Sequence, residues 1–505
     1  MLQTISKDIE INIKYMKERF NDCDDLIYRR LEIGEETKIK IAFIQIDGLA
    51  SKTEIADFAI ENLIAEGELK NLSGEDYKNA FLKFVIKKGI SNVEIKEDNN
   101  FESIFNSIMS GDSAFLIDNT DTVIIIGSKG WSKRSVSEPE TETVVRGPRD
   151  GFTETLRDNT ALIRRRIKDT KFKIKMFKIG RRSQTDVALL YIEDIVDESL
   201  LSEVKDRLNK IDIDAIVDSS ILEHLIEDNY LSPFPQMGNT ERPDSIAASL
   251  YEGRVALIVD NSPFVLVMPA TLGTLLQSSE DYYNRWLEAS ALRLVRLLAV
   301  FIALLAPALY IALTAYHPGL LPTKLVYYLA ASRINVPFPA VVEATLMEIT
   351  MELIRQAGTR ISGPIGSTIG IVGGLIIGQA AVEAGIVSNL MIIIVAITTI
   401  ATFVIPSYEL GTALRILKFG FIVLSGILGL YGIMVGIILM GSHLLILDSF
   451  GIPITSPYSG LGVEQGDLKD TLVKAPIQRL WLRPGFTHPR NQQRMKVEKK
   501  VNKDE

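Results

Sequence analysis

The chain has 505 residues, 47% hydrophobic and 23% charged, with a mean hydropathy of +0.17 and a formal net charge of −8. The acidic balance argues against a nucleic-acid-binding surface. A single cysteine, Cys23, excludes an internal disulfide framework and a cysteine-rich metal site. These averages conceal a division: residues 1–290 are dense in Lys, Glu and Asp, 291–450 carry long apolar runs, and 466–505 is charged again.

The opening, MLQTISKDIEINIKYMKERF, has no apolar h-region and so does not read as a cleaved signal peptide; the front part is expected in the cytoplasm. Two of its segments repeat a pattern. GDSAFLIDNTDTVIIIGS (111–128) matches EGRVALIVDNSPFVLVMPA (252–270), each a predicted β-hairpin whose turn opens on Asp118-Asn119 or Asp260-Asn261. KIKIAFIQIDGLASKTEIADFAIENL (38–63) is similar to TDVALLYIEDIVDESLLSEVKDRLN (185–209): a buried strand, a turn, then an amphipathic helix. The offset is about 142–146 residues in both comparisons. The fold class expected is therefore an α/β region of two tandem similar subdomains, at 1–135 and 171–290, followed by an α-helical membrane domain at 291–450 and a basic cytoplasmic tail at 451–505. Neither subdomain carries a phosphate-binding glycine motif, so nucleotide binding has no support.

Between the subdomains lies a linker and helix, 136–170. Glu138, Glu140 and Glu142 form an acidic run, Arg146 and Arg149 sit in a turn-rich stretch, and a helix from Phe152 ends in Arg164, Arg165 and Arg166. The arginines read either as an anion clamp or as an ordered linker whose cations pair with acids of an adjoining unit or subunit. The second is favoured, because no nucleophile or acid–base pair accompanies them. His224, His317, His443 and His488 are too scattered for a metal site. No catalytic residue, metal or cofactor is expected, and an enzyme is the least supported class.

The charge-free run 297–315 matches the roughly 20 residues that cross a bilayer. Arg293 and Arg296 before it point to a cytoplasmic start, and Pro307 is expected to kink it. Further spans are expected at 364–386, 389–406 and 420–446. Between 341 and 358, Glu348, Glu352 and Arg355 fall at i, i+4, i+7, a charged stripe on an otherwise apolar helix. That helix is expected to lie at the outer interface, with re-entry or a crossing as the other possibilities; four spans plus this helix is the working count, which leaves Arg415 and Lys418 outside. The tail from Asp467 holds ten Lys and Arg against five Asp and Glu, so both ends are placed in the cytoplasm. In 363–388, Gly366, Gly370, Gly373 and Gly374 give a small-residue face of the kind that lets membrane helices approach closely. Roughly half a turn round lie Thr368, Leu375, Gln379, Val382 and Ile386, with Glu383 beside them; Thr368 and Gln379 suit a buried or wet side better than lipid. The helix reads either as a tightly packed member of a bundle or as the wall of a water-filled path.

The stretches VVRGPRDGFTETLRDNTALIRRRI (144–167), VPFPAVVEATLMEITMELIRQAG (336–358), GPIGSTIGIVGGLIIGQAAVEAGIVS (363–388), PSYELGTALRILKFGFI (406–422) and LKDTLVKAPI (468–477) resemble the A subunit of spore germinant receptors, the GerA family. The resemblance implies a multi-pass protein of the inner membrane of the bacterial endospore, working with a transporter-like B subunit and a lipoprotein C subunit. It also implies a homo-oligomeric ring, with a pentamer as the expected number, around a path for monovalent cations. Thr368, Leu375, Gln379, Val382 and Glu383 then become expected pore-lining residues. The alternatives are the paralogous stage V sporulation AF-type channel protein and a non-conducting membrane scaffold for germination proteins.

Overall fold

The computed structural model describes residues 4–33, 39–50, 95–130, 138–139, 141–360, 378–459, 467 and 470–495. Two compact units emerge. One holds the chain through Glu227, Asn239–Pro269 and the residues from Leu482 on; the other holds Asp228–Gly238 and Ala270–Trp481. The tail expected as a single segment is thus divided between them.

In the first unit the repeated sequences fold as two antiparallel sheets of the same topology. The first contains α1 (Ile9–Arg19), β1 (Leu26–Ile33), β2 (Ile39–Ile46), β3 (Ile95–Asp98), α2 (Phe101–Met109), β4 (Ser113–Ile117) and β5 (Val123–Ile126), with strand order β1-β2-β4-β5-β3. The second contains α3 (Leu156–Arg164), β6 (Phe172–Ile179), β7 (Thr185–Ile192), α4 (Glu198–Lys210), α5 (Ser219–Ile226), β8 (Gly238–Thr240), α6 (Pro243–Tyr251), β9 (Val255–Val259) and β10 (Val265–Met268). Its order is β6-β7-β9-β10-β8. The pairing Leu26↔Ile46 to Ile33↔Ile39 recurs as Phe172↔Ile192 to Ile179↔Thr185.

Local chemistry explains the elements. Asn100 caps α2 by accepting from the Glu102 N–H at 2.9 Å. Phe101, Ile104, Phe105 and Ile108 then recur at helical spacing and bury against Ile44, Ala114 and Leu116. In the second sheet Leu156, Ile163, Ile246 and Leu250 cover Ala188, Leu190, Ala256 and Ile258. The Asp-Asn pairs do more than open hairpins. Asn119 and Asn261 adopt left-handed backbone, φ 60° and 68°, a conformation asparagine tolerates. Their N–H groups donate to Lys7 O and Glu154 O, both at 2.8 Å. Asp118 Oδ1 accepts from the Ile9 N–H (3.4 Å) and Asp260 Oδ1 from the Leu156 N–H (3.1 Å), so each turn caps the first helix of its own repeat. The helix expected from Phe152 begins later, at Leu156. The residues before it form a loop closed by Asn159, whose Oδ1 accepts from the Thr153 N–H at 2.8 Å.

The second unit is helical: α7 (Trp286–Ile311), α8 (Thr323–Ser332), α9 (Ala340–Arg360), α10 (Asn389–Phe403), α11 (Tyr408–Leu428) and α12 (Leu430–Ile446). Among the described residues two helical stretches are long and apolar enough to cross a membrane, Trp286–Tyr316 and Tyr408–Leu428; α10 and α12 are shorter apolar helices. Along α7, Ala299, Ala303 and Ala308 bury beside Ala413, Leu414 and Phe421 of α11 and Ala401 of α10. Small side chains let these backbones approach closely.

The single span expected at 420–446 is corrected by the structure. Gly429 takes φ +61°, and a Cβ there would lie 2.9 Å from Tyr316 Cβ. The chain turns on it, so α11 and α12 are two helices, and α11 extends back to Tyr408 through Arg415 and Lys418. At Gly436 a Cβ would meet the Phe421 ring at 2.6 Å, which places α12 against α11.

Candidate functional site

The charged stripe of α9 faces protein. Its first member is one that periodicity passed over: Glu343 is buried, its Oε2 accepts from the Ser388 N–H at 3.0 Å, and Arg333 Nη2 lies 2.8 Å from Oε1. One and a half turns on, Glu348 pairs with Lys418 of α11, with side chains only 2% and 6% exposed. Glu352 then binds Arg355, whose Nε donates to its Oε2 at 3.0 Å, while Arg415 Nε stands 3.9 Å away. Arg355 Nη1 also donates to Tyr408 Oη at 3.4 Å. Glu348 with Lys418 and Glu352 with Arg415 therefore form rungs between two antiparallel helices. A lone charge among apolar helices is costly, and pairing is how such groups persist. Glu343 and Glu348 point into the bundle rather than outward. The cations that meet the stripe were legible as an oddity, Arg415 and Lys418 at i, i+3 inside an apolar run, but not as its partners.

Arg293 and Arg296 are not a free basic flank. Arg293 donates to Asp281 (3.0 Å), Asp470 (2.8 Å) and Thr471 O (3.0 Å), and Arg296 donates to both oxygens of Asp281. Asp281 is fully buried, and its backbone carbonyl also accepts from Lys474. Burial pushes the Lys474 ammonium below its usual value, which Asp470 opposes.

Thr368, Leu375, Gly366, Gly370, Gly373 and Gly374 lie outside the described residues. Gln379, Val382 and Glu383 fall on a helical end, 378–383. Gln379 and Glu383 are exposed, and the Gln379 amide donates to Glu383 at 3.0 Å. Val382 is half-buried against the cluster containing Tyr310, Met347 and Met391. Ala380 and Ala384 are exposed, whereas Gly378 faces Ile392. The helix closes at Gly385, φ +66°, where the Ile386 N–H reaches back to Ala381 O at 2.9 Å. Ser388, where α10 begins, sits beside Glu343 near the start of α9, a helix-length from its end at Arg360.

In the linker Arg164 is fully enclosed. It forks onto Asp25 with two bonds of 2.8 Å, donates to Phe172 O at 2.9 Å and stacks on the Phe172 ring at 4.6 Å. Arg166 pairs with Asp150 and Arg149 with Glu138, while Arg146 and Arg165 are exposed. Sequence reasoning missed Arg242, buried, which donates to Glu142 O (3.1 Å) and Pro148 O (2.8 Å) and so ties the linker to the second sheet. Among the described residues no group of three or more potential metal ligands comes together.

Residues 14–486 match the model of the Bacillus/Clostridium GerA spore germination protein family. The chain belongs to the GerA family of spore germination proteins. It is 42% identical to spore germination protein KA of Bacillus subtilis over 94% of this chain and 85% of the relative. It is 39% identical to the uncharacterized membrane protein YfkQ of the same organism, over 99% and 95%. The crystal structure of the N-terminal domain of the A subunit of the Bacillus megaterium spore germinant receptor GerK3 aligns with 54% of this chain and 98% of its own, at 29% identity and a TM-score of 0.42. In this GerA-family protein the charged ladder, the α7 base and the Arg164 tie are thus parts of a germination protein.

Proposed function

We propose that this chain is the membrane subunit of a nutrient germinant receptor, and that several copies surround a path for monovalent cations which partner subunits open. The partners are a transporter-like B subunit, taken to bind the nutrient, and a lipoprotein C subunit, in the inner membrane of the endospore. The observation that carries this reading is family membership over nearly the whole chain, joined to a helical unit that keeps ionised groups inside an apolar bundle. Intramembrane charges mark ion pathways by default. The separation of Ser388 from the end of α9 agrees with the crossing expected at 364–386. α9 and α11 count as crossings in this reading, both chain ends stay cytoplasmic, and Lys418 lies within the bundle. The two α/β subdomains, 1–135 and 171–290, then form the cytoplasmic body. Gln379 and Glu383 are exposed where sister copies or the ion path would meet them. Glu383 concentrates cations as a ring of charge, and Leu375 with Val382 forms an apolar constriction.

The test is conductance of the purified full chain in planar bilayers, paired with spores carrying Val382→Ala. Non-saturating cation current, and spores that lose ions without nutrient, are expected. Absent conductance together with normal germination after exchange of the helical unit for unrelated spans would leave a scaffold instead.

A further inference from the structure

The ladder between α9 and α11 has a property that its individual pairs do not. Glu348 and Glu352 are one turn apart on α9, and Arg415 and Lys418 are one turn apart on α11. Lys418 holds Glu348, and Arg415 stands at 3.9 Å from Glu352, a looser rung. Among the described residues, Glu348 Oε1 is buried and accepts no hydrogen bond, and the compensation this carboxylate finds there is the single ammonium on its other oxygen. Sliding α9 by part of a turn strands both buried charges. A shift of about 5.4 Å, one full turn, can bring Glu352 to Lys418 or Glu348 to Arg415, but it re-forms one rung and takes the other acid and the other cation from their partners. Every shifted register therefore breaks at least one pair of the ladder, which favours the native register over its neighbours.

We propose that Glu348 and Lys418 are positioning residues that fix the register of α9 on α11.

One pair of positions reports the register independently of any current. A Cβ built on Gly426 of α11 lies 3.4 Å from Val341 Cβ of α9, close to disulfide spacing. The double variant V341C/G426C should therefore crosslink readily in the full-length membrane-embedded chain, the remaining Cys23 being buried. Adding E348Q or K418M should abolish most of that crosslink, and the exchange E348K/K418E should restore it. E348L/K418M separates register from stability, because well-packed apolar replacements of a buried ion pair are often neutral or stabilising. That variant is expected to fold, to resist detergent like the parent, and yet to crosslink less. If E348L/K418M crosslinks at the parental level, packing alone sets the register and the proposal is overturned. It is equally overturned if the exchange fails to recover the crosslink in protein of parental thermal stability. Crosslinking that follows the charges, in a chain with no conductance, would uphold the register role and sink the channel reading instead.

Discussion

Changing Asp25 to Asn removes the charge opposite Arg164 while keeping shape and one acceptor. In the native chain the guanidinium has 1% of its side chain exposed and the carboxylate 7%, and the two oxygens take two donors at 2.8 Å. After substitution the cation stays enclosed, held by the Phe172 carbonyl and ring but uncompensated. Breaking one side of such a pair costs roughly 3–5 kcal/mol. At about 2–4 °C per kcal/mol for a domain of this size, the melting temperature of the α/β unit should fall by roughly 10 °C. Calorimetry of the full-length chain in detergent measures this, with hydrogen exchange assigning the transition to the sheets. The partner substitution Asp25→Leu with Arg164→Met should recover much of the loss, since both charges leave together. A single Asp25→Asn variant melting within about 2 °C of the parent would show that the guanidinium finds other compensation, and the account of the linker as an ionic tie would fail.

Three further outcomes follow from the same structure. Burial pushes the Glu142 carboxyl up to about 7, against opposing help from Thr240 and Arg242. The folded state therefore holds a proton that the unfolded chain releases near 4.5, so this group's contribution is present at low pH and lost as pH rises through 7. Glu142→Gln should flatten the melting temperature between pH 5 and 7.5, a window set by those two values; parallel curves for parent and variant would contradict it. Arg242→Ala removes the bonds to the Glu142 and Pro148 carbonyls, so trypsin should cut faster after Arg146 and Arg149, and an unchanged cleavage rate would count against the tie. Gly429→Ala forces a side chain into left-handed backbone and within 2.9 Å of Tyr316. That variant should yield little folded protein by size-exclusion chromatography, and a normal yield would mean the α11–α12 turn relaxes at low cost.

What the sequence discloses differs between the two units for a physical reason. In the α/β unit the Asp-Asn turns, the strand alternation and the helix caps are local devices, so two copies of the same device were visible at a fixed offset, and the structure gives them the same register. The long-range pairs were not visible. Arg164 finds Asp25 across 139 positions and Lys418 finds Glu348 across 70, and nothing local distinguishes those acids from the others in an acidic chain. The arginine run 164–166 was readable as ionic, but only burial separates the enclosed Arg164 from the exposed Arg165. In the helical unit the difficulty is deeper. Where a helix meets protein on one side and lipid on the other, both sides are apolar, and hydrophobic periodicity loses its contrast. The break at Gly429 disappeared into a run in which glycine is common and hydropathy is uniform. What survives is the position of each charge, because an ionised side chain must face a partner wherever it stands. Glu343, Glu348 and Glu352 on α9 thus orient that helix more firmly than its twenty-one-residue hydropathy profile. The same reasoning turns Arg415 and Lys418 from an obstacle to counting spans into the face by which α11 meets α9.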